Sequence, residues 1–352
     1  MHRLKVSHLQ FIFYGLSILI MAVFVLIIAQ NIIAPIAIAG FLAVALLPLY
    51  NQVLNIFKYR IIATSIVLLV LLLLLGGLFF LIFWQFKSLH NSYPEISQKI
   101  LAIPDKVDQF LVDKNLQTTA KNFVSKENVA NWLESGSSFI FKSIGNIGQF
   151  TTSIALIPIY IFLFLYYKSK VKGLLVAMLN FFDLEGDKVM SSLSYIIQHH
   201  LKGLSIVTLL MGVANSIGLY ILGVPYAIAL GFFTALCTII PYIGIILGSI
   251  PVLLISYATQ ESFTSLLFIV GWYALVQFLE GNFLTPKIVG NEVNLNPLAS
   301  IIALIIGGSI WGIVGMILAI PTMALVQIMA DQFVGGKPLV KMLSSSIPKN
   351  KK

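Results

Sequence analysis

Charge is what this sequence has least of. Only 10% of its 352 residues are Asp, Glu, Lys or Arg, against about 25% in an ordinary soluble domain. A soluble core this apolar would have too little polar surface to cover it. Arginine occurs only as Arg3 and Arg60, so no voltage-sensor array can be built. The single cysteine, Cys237, excludes a disulfide framework within the chain and reads as a small buried apolar residue. The histidines, at 2, 8, 90, 199 and 200, all lie outside the apolar runs. His-Glu-x-x-His is missing, which argues against an intramembrane metalloprotease. No Walker lysine motif is present, so this chain does not drive transport with ATP itself. The expectation is a non-enzyme with no metal and no cofactor. The net charge of +9 is spread over short loops and the tail, so it is no nucleic-acid footprint.

What the chain has is hydrocarbon: 59% hydrophobic residues and a mean hydropathy of +0.97. A spanning helix needs about 20 mostly apolar residues. Residues 11–29, 32–50 and 61–86 meet that need. The first run is too long for a cleaved signal sequence and reads as an uncleaved span. Residues 87–142 then carry seven lysines and six acids. They read as short amphipathic helices, with Pro94 and Pro104 in first turns and Val107, Phe110 and Leu111 at helical spacing. Trp132, Phe139 and Phe141 suit a membrane surface. A fourth span follows at 144–167 and a fifth at 203–222. Between them, 183–202 reads as an interfacial helix whose apolar face carries Val189, Leu193, Ile197 and Leu201. Adjacent His199 and His200 point to different helix faces and are not expected to bind metal.

Two later blocks have an awkward length. Residues 226–258 and 298–329 are too long for one straight span and too short for two. The first is interrupted at Pro241 to Gly244, with Gly248 and Pro251 beyond; the second at Gly307, Gly308 and Gly312, with Pro321 beyond. Proline and glycine at such points break helices, so each block is expected to form a helical hairpin with its tip inside the membrane. A tilted, kinked single helix is the alternative. Each block follows a span, at 203–222 and 263–282, giving a "span plus broken block" unit twice.

Basic residues of short loops set orientation. Arg3, Lys5, Lys58, Arg60, Lys168, Lys170, Lys172 and the five lysines of the tail then belong inside. Both termini are expected to be cytoplasmic and residues 87–142 outside. The two units would then be inverted, a pattern of many secondary transporters. The expected fold is an all-α polytopic membrane protein: six spanning helices plus two broken hairpins as an inverted repeat, or alternatively eight spanning helices. Its parts are the first three spans (1–86), an extramembrane insert (87–143), the fourth span with the interfacial helix (144–202), a transport core (203–332) and a basic tail (333–352).

The most informative stretch runs from Glu280 to Gly290. It sets a carboxylate, Asn282, the breakers Gly281 and Pro286, and Lys287 at the end of a long apolar run. Irregular backbone at membrane depth persists only against protein or a wet cavity, and an ionisable residue there marks a transport path. Glu280 either binds a cation or proton, or orients a substrate hydroxyl. Its bland alternative is a helix end paired with Lys287. Asn282 and Gln277 either hydrogen-bond a polar substrate or cap freed backbone. Asn215, in the middle of the fifth span, either joins the path or hydrogen-bonds between helices. Glycines 244, 248, 308 and 312 also suit close helix packing.

These residues resemble the autoinducer-2 exporter family of bacterial membrane proteins. The likeness rests on Pro241-Tyr242-Ile243-Gly244 with Gly248 and Pro251, on Glu280-Gly281-Asn282 with Pro286 and Gly290, on Asn296-Pro297, and on Gly307-Gly308 through Gly312, Gly315 and Pro321. It implies export of a small molecule such as autoinducer-2 or a related metabolite from the bacterial inner membrane, and a homo-oligomer of independently working protomers. Sodium/proton antiport is the alternative the resemblance also carries. A non-transporting envelope scaffold built on the insert is the other.

Overall fold

A computed structural model describes residues 8–102, 127, 131, 152–240, 244–289, 295–333 and 336–344. Every element among them is helical. Pro104, the apolar positions of the insert, the start of the fourth span, Pro241, Tyr242 and Gly290 lie outside the described residues. Among the described residues five helices are long and apolar enough to cross a membrane, and four more are apolar but shorter.

The chain divides into two compact units. The first holds residues 1–69, 151–201 and 291–352. Its helices are α1 (His8–Ile28), α2 (Gln30–Phe57), the start of α3 (Arg60–Leu101), α4 (Thr152–Tyr166), α5 (Lys168–Phe181) and the start of α6 (Gly186–Ile221). The second holds 70–150 and 202–290. There α6 ends, and α7 (Ala227–Cys237), α8 (Gly244–Gln260) and α9 (Phe263–Leu279) follow. A five-residue π-helical turn (Glu280–Leu284) and the short α10 (Thr285–Ile288) complete it. The long α11 (Pro297–Gln332) and α12 (Lys337–Leu343) return to the first unit.

Three expectations need correction. The interfacial helix and the fifth span are one uninterrupted 36-residue helix, α6. Gly203 was the expected boundary, and glycine inside a helix costs about 1 kcal/mol relative to alanine. Here that cost accompanies a close approach: a Cβ on Gly203 would lie 2.8 Å from Val289 Cα. The apolar face expected to meet lipid is covered by protein, with Ile197 packed on Phe41 and Leu318. Pro94 likewise opens no new helix, because α3 runs through that position for 42 residues. The helix Lys168–Phe181 was not expected at all.

Both awkward blocks double back. Across the first, Thr234 Oγ1 donates to the Gly248 carbonyl at 3.0 Å. A straight helix would hold residues fourteen apart about 21 Å from each other. A Cβ on Gly248 would come within 2.7 Å of Thr234 Cα, so glycine is what lets α7 and α8 touch. Across the second, Gly307 and Gly315 meet backbone to backbone, though eight helical residues would separate them by about 12 Å. The reversal is at Trp311 (φ −131°, ψ 18°) and Gly312 (φ 59°, ψ −135°). Gly312 has nothing near its missing Cβ; its task is the left-handed backbone rather than the packing expected of it. Beyond the turn, Ala319 returns against Ala303 and Leu304. Pro251 and Pro321 sit inside the returning helices.

Between lipid-embedded helices there is little hydrophobic drive, so small residues and hydrogen bonds hold them together. In the second unit Leu219, Leu230, Val252, Ile269 and Tyr273 join α6 through α9 in one core. In the first unit Trp311 Nε1 donates to the Leu26 carbonyl at 2.9 Å, fixing the second turn to the end of α1. Asn296 caps α11 through Ala299 N at 2.7 Å. The same side chain donates to the Met342 carbonyl and so holds α12.

Candidate transport site

The site is built at the end of α9. Ser262 caps that helix, and an apolar run carries it to Gln277 and Glu280. An α-helix would next place a backbone N–H on the carbonyl four residues back. Pro286 has no N–H to give, and Thr285 N donates instead to the Glu280 carbonyl, five residues back. The helix widens into a π turn, an irregularity common at functional sites. The expected break is therefore a bulge: backbone at Glu280 and Thr285 stays helical. Pro286 falls in the first turn of α10.

Gln277 reaches Glu280 by ordinary i,i+3 spacing, and the bulge adds Thr285, which plain helical spacing would turn away. Gln277 Nε2 donates to Glu280 Oε2 at 2.7 Å. Thr285 Oγ1 donates to Glu280 Oε1. The carboxylate is thus held by an amide and a hydroxyl, whereas Lys287 is exposed. Gln277 Oε1 is buried and has no partner. Asn282 is not part of this group. It is exposed, and its Nδ2 donates to the Phe278 carbonyl at 2.9 Å. That is the backbone-capping alternative for Asn282.

Asn215 stands on α6, fully buried, and neither atom of its amide has a partner. Its neighbours define what it faces. Met211, one turn earlier, packs with Ala235 of α7 and Val276 of α9. Gly218, three residues later, lies against the Trp272 indole so closely that a Cβ would collide with it. Residues three and four apart share a helix face, so Asn215 looks toward α7 and α9. Trp272 Nε1 is also buried without a partner. Nearby, Thr234 shares a hydrogen bond with Tyr273 at 3.1 Å. Buried polar groups are nearly always satisfied. Here the Asn215 amide, the Trp272 indole N–H and the Gln277 carbonyl are all buried with no partner among the described residues.

Thr285 and Trp272 were missed as site residues. Thr285 has a weak signal, a hydroxyl five residues after the only acid of the run. Trp272 has none, because an apolar helix tolerates tryptophan anywhere. Among the described residues no cluster of His, Cys, Asp and Glu could hold a metal ion.

Comparison with known proteins decides the family. The family model for AI-2E family transporters matches residues 16–335. The chain belongs to the AI-2E transporter family. It is 29% identical over 310 residues to YueF of Bacillus subtilis (strain 168), covering 83% of this chain and 82% of that protein. It is 24% identical over 338 residues to the AI-2 transport protein TqsA of Escherichia coli (strain K12), covering 94% and 96%. A third relative, YrrI of Bacillus subtilis, is 38% identical over a shorter stretch of 135 residues. As an AI-2E family member with several membrane-length apolar helices, the chain is a multi-pass membrane protein with a transport role.

Proposed function

We propose that this AI-2E family protein is a secondary transporter that exports a small polar molecule, autoinducer-2 or a related metabolite. The name of TqsA supplies the cargo class. The observation that carries the mechanism is the Glu280 carboxylate. It sits in a 26-residue apolar helical run and, among the described residues, is bonded to Gln277 and Thr285 rather than to a cation. A carboxylate in hydrocarbon costs several kcal/mol unless it is solvated or paired. Glu280 therefore faces a wet path, with Gln277 and Asn215 offering hydrogen bonds to the passing solute. Asn282 lies on the same π turn and steadies its backbone at the mouth of that path.

The two hairpins would act as the moving parts. Each follows a long apolar helix, α6 or α9, and in each a glycine lets the two arms touch, Gly248 against Thr234 and Gly307 against Gly315. An inverted repeat of two such units, both termini in the cytoplasm of the inner membrane and a homo-oligomeric assembly complete the reading.

Sodium/proton antiport is the second reading, and one observation favours it. The Glu280 carboxylate and the Thr285 hydroxyl bonded to it supply hard oxygen ligands, which suit a hard cation. Reconstitution into liposomes separates the two. Uptake of labelled autoinducer-2 without an ion gradient supports export of the signal. Sodium-driven collapse of a proton gradient, with no uptake of the signal, favours antiport. Neither activity in correctly inserted protein would reject both.

A further inference from the structure

In the first unit the α2–α3 and α4–α5 junctions carry Arg60 and Lys168, and among the described residues neither is ion-paired with an acid. Lys168 opens α5. Its Nζ donates to Asn51 Oδ1 at 2.6 Å and lies 4.5 Å from the centre of the Tyr50 ring. A neutral amide and an aromatic face hold this ammonium where a carboxylate would be the usual partner. Arg60, at the start of α3, is near enough to add to the burial that lowers the Lys168 pKa. Like charges that feel each other disfavour their charged forms, and a shared anion would relieve both. Tyr50 is wholly buried and its hydroxyl has no protein partner. The ammonium of Lys168 thus has one neutral acceptor in Asn51 Oδ1 and further N–H donors to offer.

The surroundings indicate the anion. Ile56, Tyr59 and Ile61 are 72%, 67% and 56% exposed around Arg60, and Tyr167 is 44% exposed beside Lys168. Bulky apolar and aromatic side chains at the ends of membrane helices mark the headgroup level. A free phosphate ion would gain nothing from them, whereas acyl chains would cover them. We propose that Arg60 and Lys168 bind the phosphate of an anionic phospholipid, whose chains lie on the exposed apolar residues between α2 and α3. Basic pockets between membrane helices hold such headgroups elsewhere. This site is separate from Glu280, so transport chemistry can fail while lipid binding stands.

The test uses full-length protein in phosphatidylcholine vesicles carrying spin-labelled phosphatidylglycerol. The immobilised fraction reports association, and spin-labelled phosphatidylcholine gives the reference. The wild type should prefer phosphatidylglycerol. Lys168→Gln and Arg60→Gln should each lower that preference about fivefold, the scale expected for one cation near an anionic headgroup. Arg60 is exposed, so its variant tests the idea even if Lys168→Gln folds poorly. Lys341→Gln, on α12, should change nothing. Equal loss in Lys341→Gln would mean only general surface charge, and no loss in Arg60→Gln would overturn the site. Displacement of the lipid by millimolar inorganic phosphate would reassign the cluster to the free ion and also overturn the proposal.

Discussion

Thr285 donates its hydroxyl hydrogen to the Glu280 carboxylate across a π-helical turn. In a plain α-helix, residues five apart point to different faces. The extra backbone residue in the turn rotates Thr285 back onto the side of Glu280. Pro286, the next residue, has no N–H with which to continue an α-helical ladder.

Removing the hydroxyl isolates this relationship. Hydrogen bonds to charged groups contribute about 1.5–3 kcal/mol. Thr285→Val should leave insertion and assembly intact and lower the initial transport rate by about tenfold or more. Thr285→Ser should retain most activity. Equal rates in Thr285→Val and wild type would leave the bond without a functional role.

The second hairpin is testable by cross-linking. Ala303 and Ala319 pack together in one cluster, whereas sixteen straight helical residues would part them by about 24 Å. In a background with Cys237→Ala, cysteines at 303 and 319 should join under mild oxidation within one chain. A continuous helix would give no intramolecular product. Gly315→Ala should also lower thermal stability by about 1–3 kcal/mol, the usual cost of overpacking, because its Cβ would strike the Gly307 backbone.

Asn215 offers a test of opposite sign. A buried amide with no partner destabilises the fold, and replacing it with an apolar residue of like size is often neutral or stabilising. Asn215→Leu should hold or raise thermal stability while transport falls. A fall in stability with transport intact would assign Asn215 to structure alone.

The topology predicts where reagents reach. Lys58 and Glu261 are both exposed, and Glu261 pairs with Lys99, near the far end of α3 from Arg60. With Cys237 replaced by alanine, a membrane-impermeant thiol reagent applied outside intact cells should label Glu261→Cys and miss Lys58→Cys. Labelling of Lys58→Cys alone would invert the assignment.

Much of this could be read from the residues alone. The second hairpin was legible because Gly307, Gly308 and Gly312 interrupt a run too long to be straight. Glu280 was legible as the acid beside Gly281 and Pro286. The π turn was not, because it depends on which carbonyl Thr285 N selects once Pro286 cannot donate. Thr285 went unnoticed for the same reason. The continuity of α6 through Gly203 was hidden because a glycine that ends a helix and one that admits a neighbouring backbone look alike in sequence. Val289, which approaches it, is far along the chain.

The central claim is that the Glu280 charge carries transport, and one substitution addresses it most directly. Glu280→Gln keeps the size of the side chain and can still accept from Gln277 or Thr285, but it removes the charge. In proteoliposomes at matched protein levels, the variant should insert and assemble as the wild type does, with transport abolished or strongly reduced and its pH response altered. Wild-type rates with a wild-type pH profile would contradict the account and leave Glu280 as a structural residue of the π turn.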